Sequence, residues 1–280
     1  MRAAVRVRPP AVAGAFYPGD PAELAAAVDR ALPAVPEGEP APKALIVPHA
    51  GYVYSGAIAG AAYARVVPLR DVIRRVVLLG PAHRMPVNGL AVSSAGAFAT
   101  PLGVVEVDDA ARRLVLTLPQ VRIDDAAHAR EHSLEVHLPF LQRVLARFRI
   151  LPLVVGHATP AAVSGVLDLV WGGPETLIVV SSDLSHYDDY DTATAHDRRT
   201  AQAIVACALE RISPEDACGA YPVKGLLDAA RRHGLTVRLL DLRNSGDTAG
   251  PRDEVVGYGA FALAAPRHSC PGAASRTSAC

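Results

Sequence analysis

The sequence has little lysine, few cysteines and no excess of charge of either sign. Of its 28 basic residues only Lys43 and Lys224 are lysines, and the others are arginines. These 28 basic residues balance 28 acidic ones, so the formal net charge is zero. A chain without excess positive charge lacks the bulk attraction that draws proteins to nucleic acids or anionic membranes. We therefore expect neither nucleic acid nor a membrane as a partner.

The cysteines exclude two common kinds of stabilising site. No Cys-x-x-Cys pair occurs among Cys207, Cys218, Cys270 and Cys280, which argues against a structural zinc site or a disulfide framework. Cys218 lies among small residues, and we interpret it as a small buried side chain. No apolar run approaches the ~18 residues of a transmembrane helix, and the N-terminus lacks the apolar part of a secretory signal. We expect a reducing, cytoplasmic setting.

Length and patterning indicate an α/β fold. The chain has 280 residues, of which 50% are hydrophobic, enough for a large core. Continuous apolar segments alternate with helical patterns, which is typical of a mainly parallel or mixed sheet flanked by helices. We expect a single domain over residues 10–264, an N-terminal extension over 1–9, and a disordered C-terminal tail over 265–280.

The individual elements follow from the same patterns. Strands are predicted at 44–47, 75–80, 150–155, 175–182, 235–242 and 254–264, with a hairpin-like segment at 89–107. Helices are predicted at 55–66, 108–118, 133–147, 160–170, 194–210 and 223–233.

Histidine or acidic residues follow several of the predicted strands. They are His49, His83, Asp183 with His186, and Asp247. Ligands of open α/β sheets bind outside the carboxyl ends of the strands, so these groups converge if the strands are neighbours. Imidazoles and carboxylates bind iron, copper or zinc, and two histidines with one carboxylate are the pattern of non-haem iron oxygenases. For each histidine alone, an ordinary hydrogen-bonding role is the alternative.

A second polar group occupies residues 131–137, with the sequence EHSLEVH. His132 and Glu135 are three positions apart and would share one face of a helix. The segment does not contain the His-Glu-x-x-His metalloprotease motif. Two interpretations stay open here: residues that line the cleft, or a helix N-terminus whose acids favour the helix dipole.

Several motifs together resemble one known family. In chain order they are AVAGAFYPGDPAEL, IVPHAGYVYSG, LLGPAHR, FATPLGVVEVD, EHSLEVHLPFLQ, SSDLSHY, CGAYPV and NSGD followed by VVGYGAFAL. This set resembles the Memo family, in the branch named AmmeMemoRadiSam system protein B. The resemblance covers about residues 10–264 and implies a fold similar to that of class III extradiol dioxygenases of the LigB type.

The resemblance also implies roles for individual residues. His49 and His83 match the family's two metal-binding histidines, and His186 matches the histidine that is an acid/base residue in the dioxygenases. The third ligand is a cysteine in the eukaryotic Memo protein and a glutamate in the dioxygenases. That position falls near Asp247 or Thr248 in this chain, and Asp247 is chemically the better ligand.

The leading hypothesis is a metal-dependent redox enzyme. Fe(II), or alternatively copper, would bind His49, His83 and Asp247, with His186 as general acid/base. Asp183 or Glu135 would orient His186, and His132 is a further candidate catalytic residue. One alternative is a non-catalytic binding or metal-carrier protein whose partners are AMMECR-type and radical-SAM proteins, as the family name implies. Another is a hydrolase in which Zn²⁺ on the same ligands activates water.

Overall fold

Strands and helices alternate along most of the chain in this computed structural model, which describes residues 5–35 and 38–266. The strands are β1 (Val7–Arg8), β2 (Ala44–Val47), β3 (Arg75–Pro81), β4 (Leu90–Val92), β5 (Ala97–Thr100), β6 (Gly103–Glu106), β7 (Val121–Ile123), β8 (Arg149–Val155), β9 (Thr176–Ser181), β10 (His186–Asp188), β11 (Thr236–Asn244) and β12 (Val255–Ala264). The helices are α1 (Pro21–Ala31), α2 (Tyr52–Tyr63), α3 (Asp109–Val115), α4 (Asp125–Ala129), α5 (Leu138–Val144), α6 (Pro160–Leu169), α7 (Tyr190–Val205) and α8 (Ala220–Arg232). Short 3-10 turns cover Ala64–Leu69, Glu135–His137, Leu209–Arg211 and Ser245–Asp247.

Parallel strands form the centre of the main sheet. Strands β2, β9, β3 and β8 lie side by side in that order, and each neighbouring pair is parallel. Every residue of β2 and of β9 is buried. Burial on both faces explains why these strands are continuous apolar runs rather than alternating ones. The carboxyl ends of all of them meet at one edge of the sheet.

Antiparallel strands extend the sheet on both sides, so the sheet is mixed, as predicted. On one side β12 pairs with β2, and both β11 and β10 pair with β12. On the other side β4 is antiparallel to β8, and β7 pairs with β4. A smaller separate sheet has the order β1, β5, β6.

Helices cover both faces of the main sheet. Leu45 and Val47 of β2 point into one apolar cluster, to which α1, α2 and α5 contribute. Ala44 and Ile46 point into the other cluster, which is completed by α3, α6, α7 and α8. This alternation is the period-2 geometry of a strand between two helical layers. The single-domain α/β architecture expected from the sequence is confirmed.

Several elements depart from the predicted boundaries. The helix predicted at 133–147 is a 3-10 turn followed by the short α5, which has Pro139 in its first turn. Helix α1 was not predicted, although Asp20 accepts hydrogen bonds from Ala22 and Glu23 and Pro21 opens the helix. An aspartate N-cap before proline is an ordinary helix start, and the buried residues Leu24 and Val28 are four positions apart, as on one face of a helix.

The structure shows a strand within the predicted N-terminal extension. Strand β1 lies within the segment expected to be an extension, and Arg8 is buried. Most of the predicted tail, residues 267–280, lies outside the described residues, as do Cys270 and Cys280. Within the described part of the chain, no helix has the length and apolar character needed to cross a bilayer.

Candidate metal centre

Three histidine rings converge at the carboxyl edge of the parallel strands. His49 follows β2, His83 follows β3, and His132 lies in the loop after α4. One ring nitrogen from each lies within 4.8 Å of the other two, a grouping that could hold a metal ion. The ring centroids are 5.1 Å apart for His49 and His83, and 4.8 Å apart for His83 and His132. The strand order explains the convergence, since only β9 separates β2 from β3.

Ser181, the last residue of β9, determines which nitrogen of His49 carries a hydrogen. Its hydroxyl donates its only hydrogen to the Ser133 carbonyl at 2.6 Å. The Ser181 oxygen therefore accepts its 2.5 Å bond from Nδ1–H of His49. Burial, followed by the charges of neighbouring histidines, lowers the pKa of His49 well below its ordinary value. The neutral ring thus presents the lone pair of Nε2.

Glu131 orients His83 through hydrogen bonds to its ring and its backbone. Its carboxylate accepts Nδ1–H of His83 at 2.9 Å and the backbone N–H of His83 at 2.6 Å. It also accepts the backbone N–H groups of His132 and Ser133. Burial alone would raise the pKa of Glu131, but the His83 hydrogen bond and these N–H groups lower it to about 2. Because Nδ1–H of His83 points to this carboxylate, Nε2 is the ring nitrogen that is available to a metal.

His132 has an unsatisfied buried nitrogen. Its Nδ1 lies 3.4 Å from Oε1 of Glu131 but makes no hydrogen bond with any residue that the structure describes. Burial lowers the pKa of His132 to about 4, so the ring is neutral at pH 7. The ring stacks on His83 and contacts Phe16 at 4.8 Å between centroids. These contacts hold a neutral imidazole in place beside the other two.

Asp183 and His186 line the same cavity as the three histidines. Asp183 accepts the backbone N–H of His49 at 2.7 Å, and its other oxygen lies 3.9 Å from Nε2 of His49. Burial raises the pKa of Asp183 to about 7. Partial burial lowers the pKa of His186 below its ordinary value. The cavity that these residues share with the three histidines has a volume of about 780 Å³.

Cys218 also lines this cavity, which sequence reasoning did not anticipate. Its sulfur lies 3.4 Å from Nε2 of His49 and accepts the backbone N–H of Asp183 at 3.3 Å. Burial raises the pKa of the thiol. The sequence feature that accompanies this placement is Gly219, which directly follows Cys218. In the structure, a Cβ at Gly219 would lie 2.5 Å from the carbonyl oxygen of Ser181. Only glycine lets the start of α8 approach the end of β9 this closely.

Glu135 is placed away from the cavity wall that it was expected to serve. Its carboxylate pairs with the buried Arg8 and accepts the hydroxyl of Tyr17 at 2.5 Å. It also accepts the backbone N–H groups of Ala11 and Val12. With these four partners the carboxylate attaches the N-terminal segment to the main domain, and the structure does not bring it to His186.

Asp247 does not join the three histidines either. One carboxylate oxygen accepts the hydroxyl of Tyr190 at 2.6 Å, and the other accepts the backbone N–H of Asn244 at 3.0 Å. The residue ends the 3-10 turn after β11, which pairs with β12 rather than with β2. Neighbouring strands are about 4.8 Å apart, and β11 is two strands away from β2. The turn after β11 therefore starts roughly 10 Å from the end of β2. The third nitrogen of the cluster belongs to His132 instead.

Comparisons with known proteins agree with the motifs. A family model described as Memo-like protein matches residues 8–262. A MEMO1 family protein of Aquifex aeolicus is 40% identical over 91% of this chain and 98% of its own length. Those of Sulfolobus acidocaldarius and Methanothermobacter thermautotrophicus are 35% and 37% identical, each over 90% of this chain and 97% and 98% of their own lengths.

A solved structure shares the fold. The crystal structure of an uncharacterized protein from Escherichia coli K12 aligns with a TM-score of 0.50 and 14% identity. The alignment covers 77% of this chain and 98% of the other. At this level of identity the likeness concerns the architecture alone.

Proposed function

This chain belongs to the Memo family, and we propose that it is a metal-dependent oxidoreductase whose ion is bound by His49, His83 and His132. We further propose Fe(II) as the ion, with copper as the alternative redox metal. In this proposal the third ligand is His132, whereas the sequence-based hypothesis named Asp247. The substrate is a small molecule that enters the cavity beside the three rings.

The observation that carries this proposal is the convergence of three imidazole rings. A metal ligand must offer a lone pair. Ser181 and Glu131 each accept the Nδ1–H of one ring, so Nε2 is the nitrogen that His49 and His83 can offer to a metal. Such outer partners are typical of metal-binding histidines. A ring nitrogen of His132 completes a set of nitrogen donors suited to iron, copper or zinc.

The residues around the cluster are suited to moving protons. When bound, the ion supplies Lewis acidity and, if it is iron or copper, electron-transfer chemistry. A lowered pKa keeps His186 neutral at pH 7, so its ring can accept a proton from a substrate hydroxyl. Asp183, whose pKa is near neutrality, can hold or release a proton beside His49. Burial of His49 and Asp183 limits access of water to this side of the cavity.

The ligand set also favours a second candidate function. Three histidines with an open position are a known arrangement of catalytic zinc, and the grouping contains no carboxylate among the described residues. A zinc-dependent hydrolase would use the same cavity and the same His186. The two functions differ in the metal that the protein retains and in whether reduction and oxidation change its activity.

Metal content measured after anaerobic purification tests the proposal. We expect close to one iron per wild-type chain, and a loss of most of it in each of His49→Ala, His83→Ala and His132→Ala. Asp247→Ala is the control, because its carboxylate is already occupied by Tyr190 and Asn244. Iron lost in Asp247→Ala but kept in His132→Ala would refute the ligand set. Stoichiometric zinc under iron-replete growth would instead favour the hydrolase.

A further inference from the structure

A second cavity adjoins the proposed metal site. It has a volume of about 770 Å³, and Arg84 lines both it and the cavity of the three histidines. Its other lining residues are apolar apart from one further arginine; they are Ala11, Val12, Met85, Ala126, Ala129 and Arg130. A volume of this size accommodates a small organic molecule. This second cavity, called the groove below, shares Arg84 with the cavity of the three histidines.

The two arginines of the groove have no acidic partners. Neither Arg84 nor Arg130 makes an ion pair or a side-chain hydrogen bond within the described residues, and both are exposed. Other arginines of this chain, such as Arg75 and Arg143, are paired with aspartates. Unpaired guanidinium groups on an apolar wall attract anions. Arg84 directly follows His83, so an anion bound to it lies beside the metal site.

Acidic residues also line the cavity of the three histidines. They are Asp188 and Glu215, and His196 beside them contacts both Asp216 and Asp188. Because like charges repel, an anionic group is disfavoured at these carboxylates and favoured at Arg84.

We propose that the substrate carries a carboxylate that Arg84 binds, with the rest of the molecule in the cavity of the three histidines. This inference rests on the proposed metal-dependent function and names the substrate class for it. The planar fork of a guanidinium donates two parallel hydrogen bonds to a carboxylate, which a lysine or glutamine cannot do. Arg84 would then be a specificity-determining residue that positions the opposite end of the substrate at the three histidines.

Paired metal-binding probes test this inference on the full chain loaded with one Zn²⁺. The probes are the monohydroxamates of succinic and glutaric acid, each compared with the analogue whose free carboxylate is replaced by an amide. The hydroxamate binds the metal in all of them, and only the acids can pair with Arg84. By calorimetry at pH 7, we expect the wild type to bind an acid about tenfold more tightly than its amide.

The preference for the acid should depend on Arg84 alone. In Arg84→Gln we expect equal affinity for acid and amide, with unchanged zinc content and unchanged affinity for the amide. Arg84→Lys should keep part of the preference. The matched control is Arg147→Gln: Arg147 is also exposed but precedes β8, so it lies at the opposite edge of the sheet.

Two outcomes would overturn the inference, and they differ from failure of the metal site. Equal wild-type affinity for acid and amide would reject it, and so would a preference that persists in Arg84→Gln. In both cases zinc and amide would still bind, and the proposed metal centre would stand. A chain that binds neither zinc nor any hydroxamate would reject the metal centre and, with it, this substrate class.

Discussion

Glu131 is the residue on which the geometry of the candidate metal centre depends most. It is buried, and it accepts hydrogen bonds from the ring and backbone of His83 and from the backbone of His132. One carboxylate thus orients two of the three rings. Partners of this kind tune both the direction and the basicity of metal-binding histidines.

Replacement of Glu131 by glutamine should weaken metal binding without removing a ligand. Glutamine has one acceptor oxygen and no charge, so it cannot accept both the ring N–H and the backbone N–H of His83 through separate oxygens, as Glu131 does. We expect about a tenfold to hundredfold loss of metal affinity, measured by competition with a chelator. Glu106→Gln is the control, since Glu106 is exposed and pairs with Arg149 outside the site. Unchanged affinity in Glu131→Gln would show that His83 is oriented by other contacts.

Buried neutral histidines make the stability of the fold depend on pH. Burial lowers the pKa of His137 to about 3 and that of His128 to about 4. Below about pH 6.5 the unfolded chain takes up protons at these positions while the folded chain does not. Their contribution to stability is therefore complete above pH 6.5 and decreases as the pH falls towards 4.

Removal of one of these histidines should make the free energy of unfolding less dependent on pH. For each such histidine the free energy of unfolding falls by up to about 1.4 kcal/mol per pH unit below pH 6.5. Between pH 7 and pH 5, His137→Phe should lose about 2 kcal/mol less than the wild type. The measurement is urea denaturation at both pH values, with the exposed His233→Gln as the control. An identical slope in His137→Phe would contradict a buried neutral ring at this position.

At the scale of elements, a glycine can determine how closely two helices approach each other. Gly60, within α2, faces the end of α1: a Cβ there would lie 1.8 Å from the carbonyl oxygen of Ala31. Gly165, within α6, has ample space, because the nearest atom to its would-be Cβ is 4.0 Å away. The same residue type therefore has a packing role in one helix and none in the other.

Alanine at these two positions should have opposite effects. Gly60→Ala forces α1 and α2 apart, and we expect a loss of about 1–3 kcal/mol in the free energy of unfolding. Gly165→Ala removes backbone freedom from the unfolded chain and should stabilise the protein by up to about 1 kcal/mol. Chemical denaturation of both variants measures the difference. A neutral Gly60→Ala would show that the contact between the two helices adjusts freely.

At the scale of the whole molecule, the N-terminal segment belongs to the packed structure. Strand β1 pairs with β5, and Arg8 forms a buried ion pair with Glu135. Arg8 also donates to the backbone carbonyl oxygens of His128 and Glu131, on either side of α4's end. The segment that holds His132, one of the three proposed ligands, is thereby joined to the first residues of the described chain.

Replacement of the buried Arg8 should destabilise the protein much more than replacement of the exposed Arg6. Arg8→Met leaves the charge of Glu135 buried without its cation, and we expect a destabilisation of about 3–5 kcal/mol. Arg6→Met removes an ion pair with Asp125 in which the arginine side chain is 64% exposed, and it should cost less than about 1 kcal/mol. Thermal and chemical denaturation distinguish the two. Equal, small effects would indicate that residues 1–9 are an extension that the domain does not need.

The sequence by itself determined the fold class and two of the three histidines of the centre. Continuous apolar strands indicated a sheet buried on both faces, and His49 and His83 stand directly after two of those strands. This local information sufficed because the carboxyl ends of parallel strands lie at one edge whatever their order. The motifs likewise indicated the Memo family, which the matches over residues 8–262 confirmed.

Only the tertiary structure decided the rest of the centre. The strand order separates β11 from β2 by β12, which places Asp247 with Tyr190 rather than with the histidines. Pairing between distant segments also decided that His132 faces the cluster while Glu135 binds Arg8. The physical reason is that strand neighbours and buried ion pairs join residues more than a hundred positions apart, and no local spacing encodes such contacts.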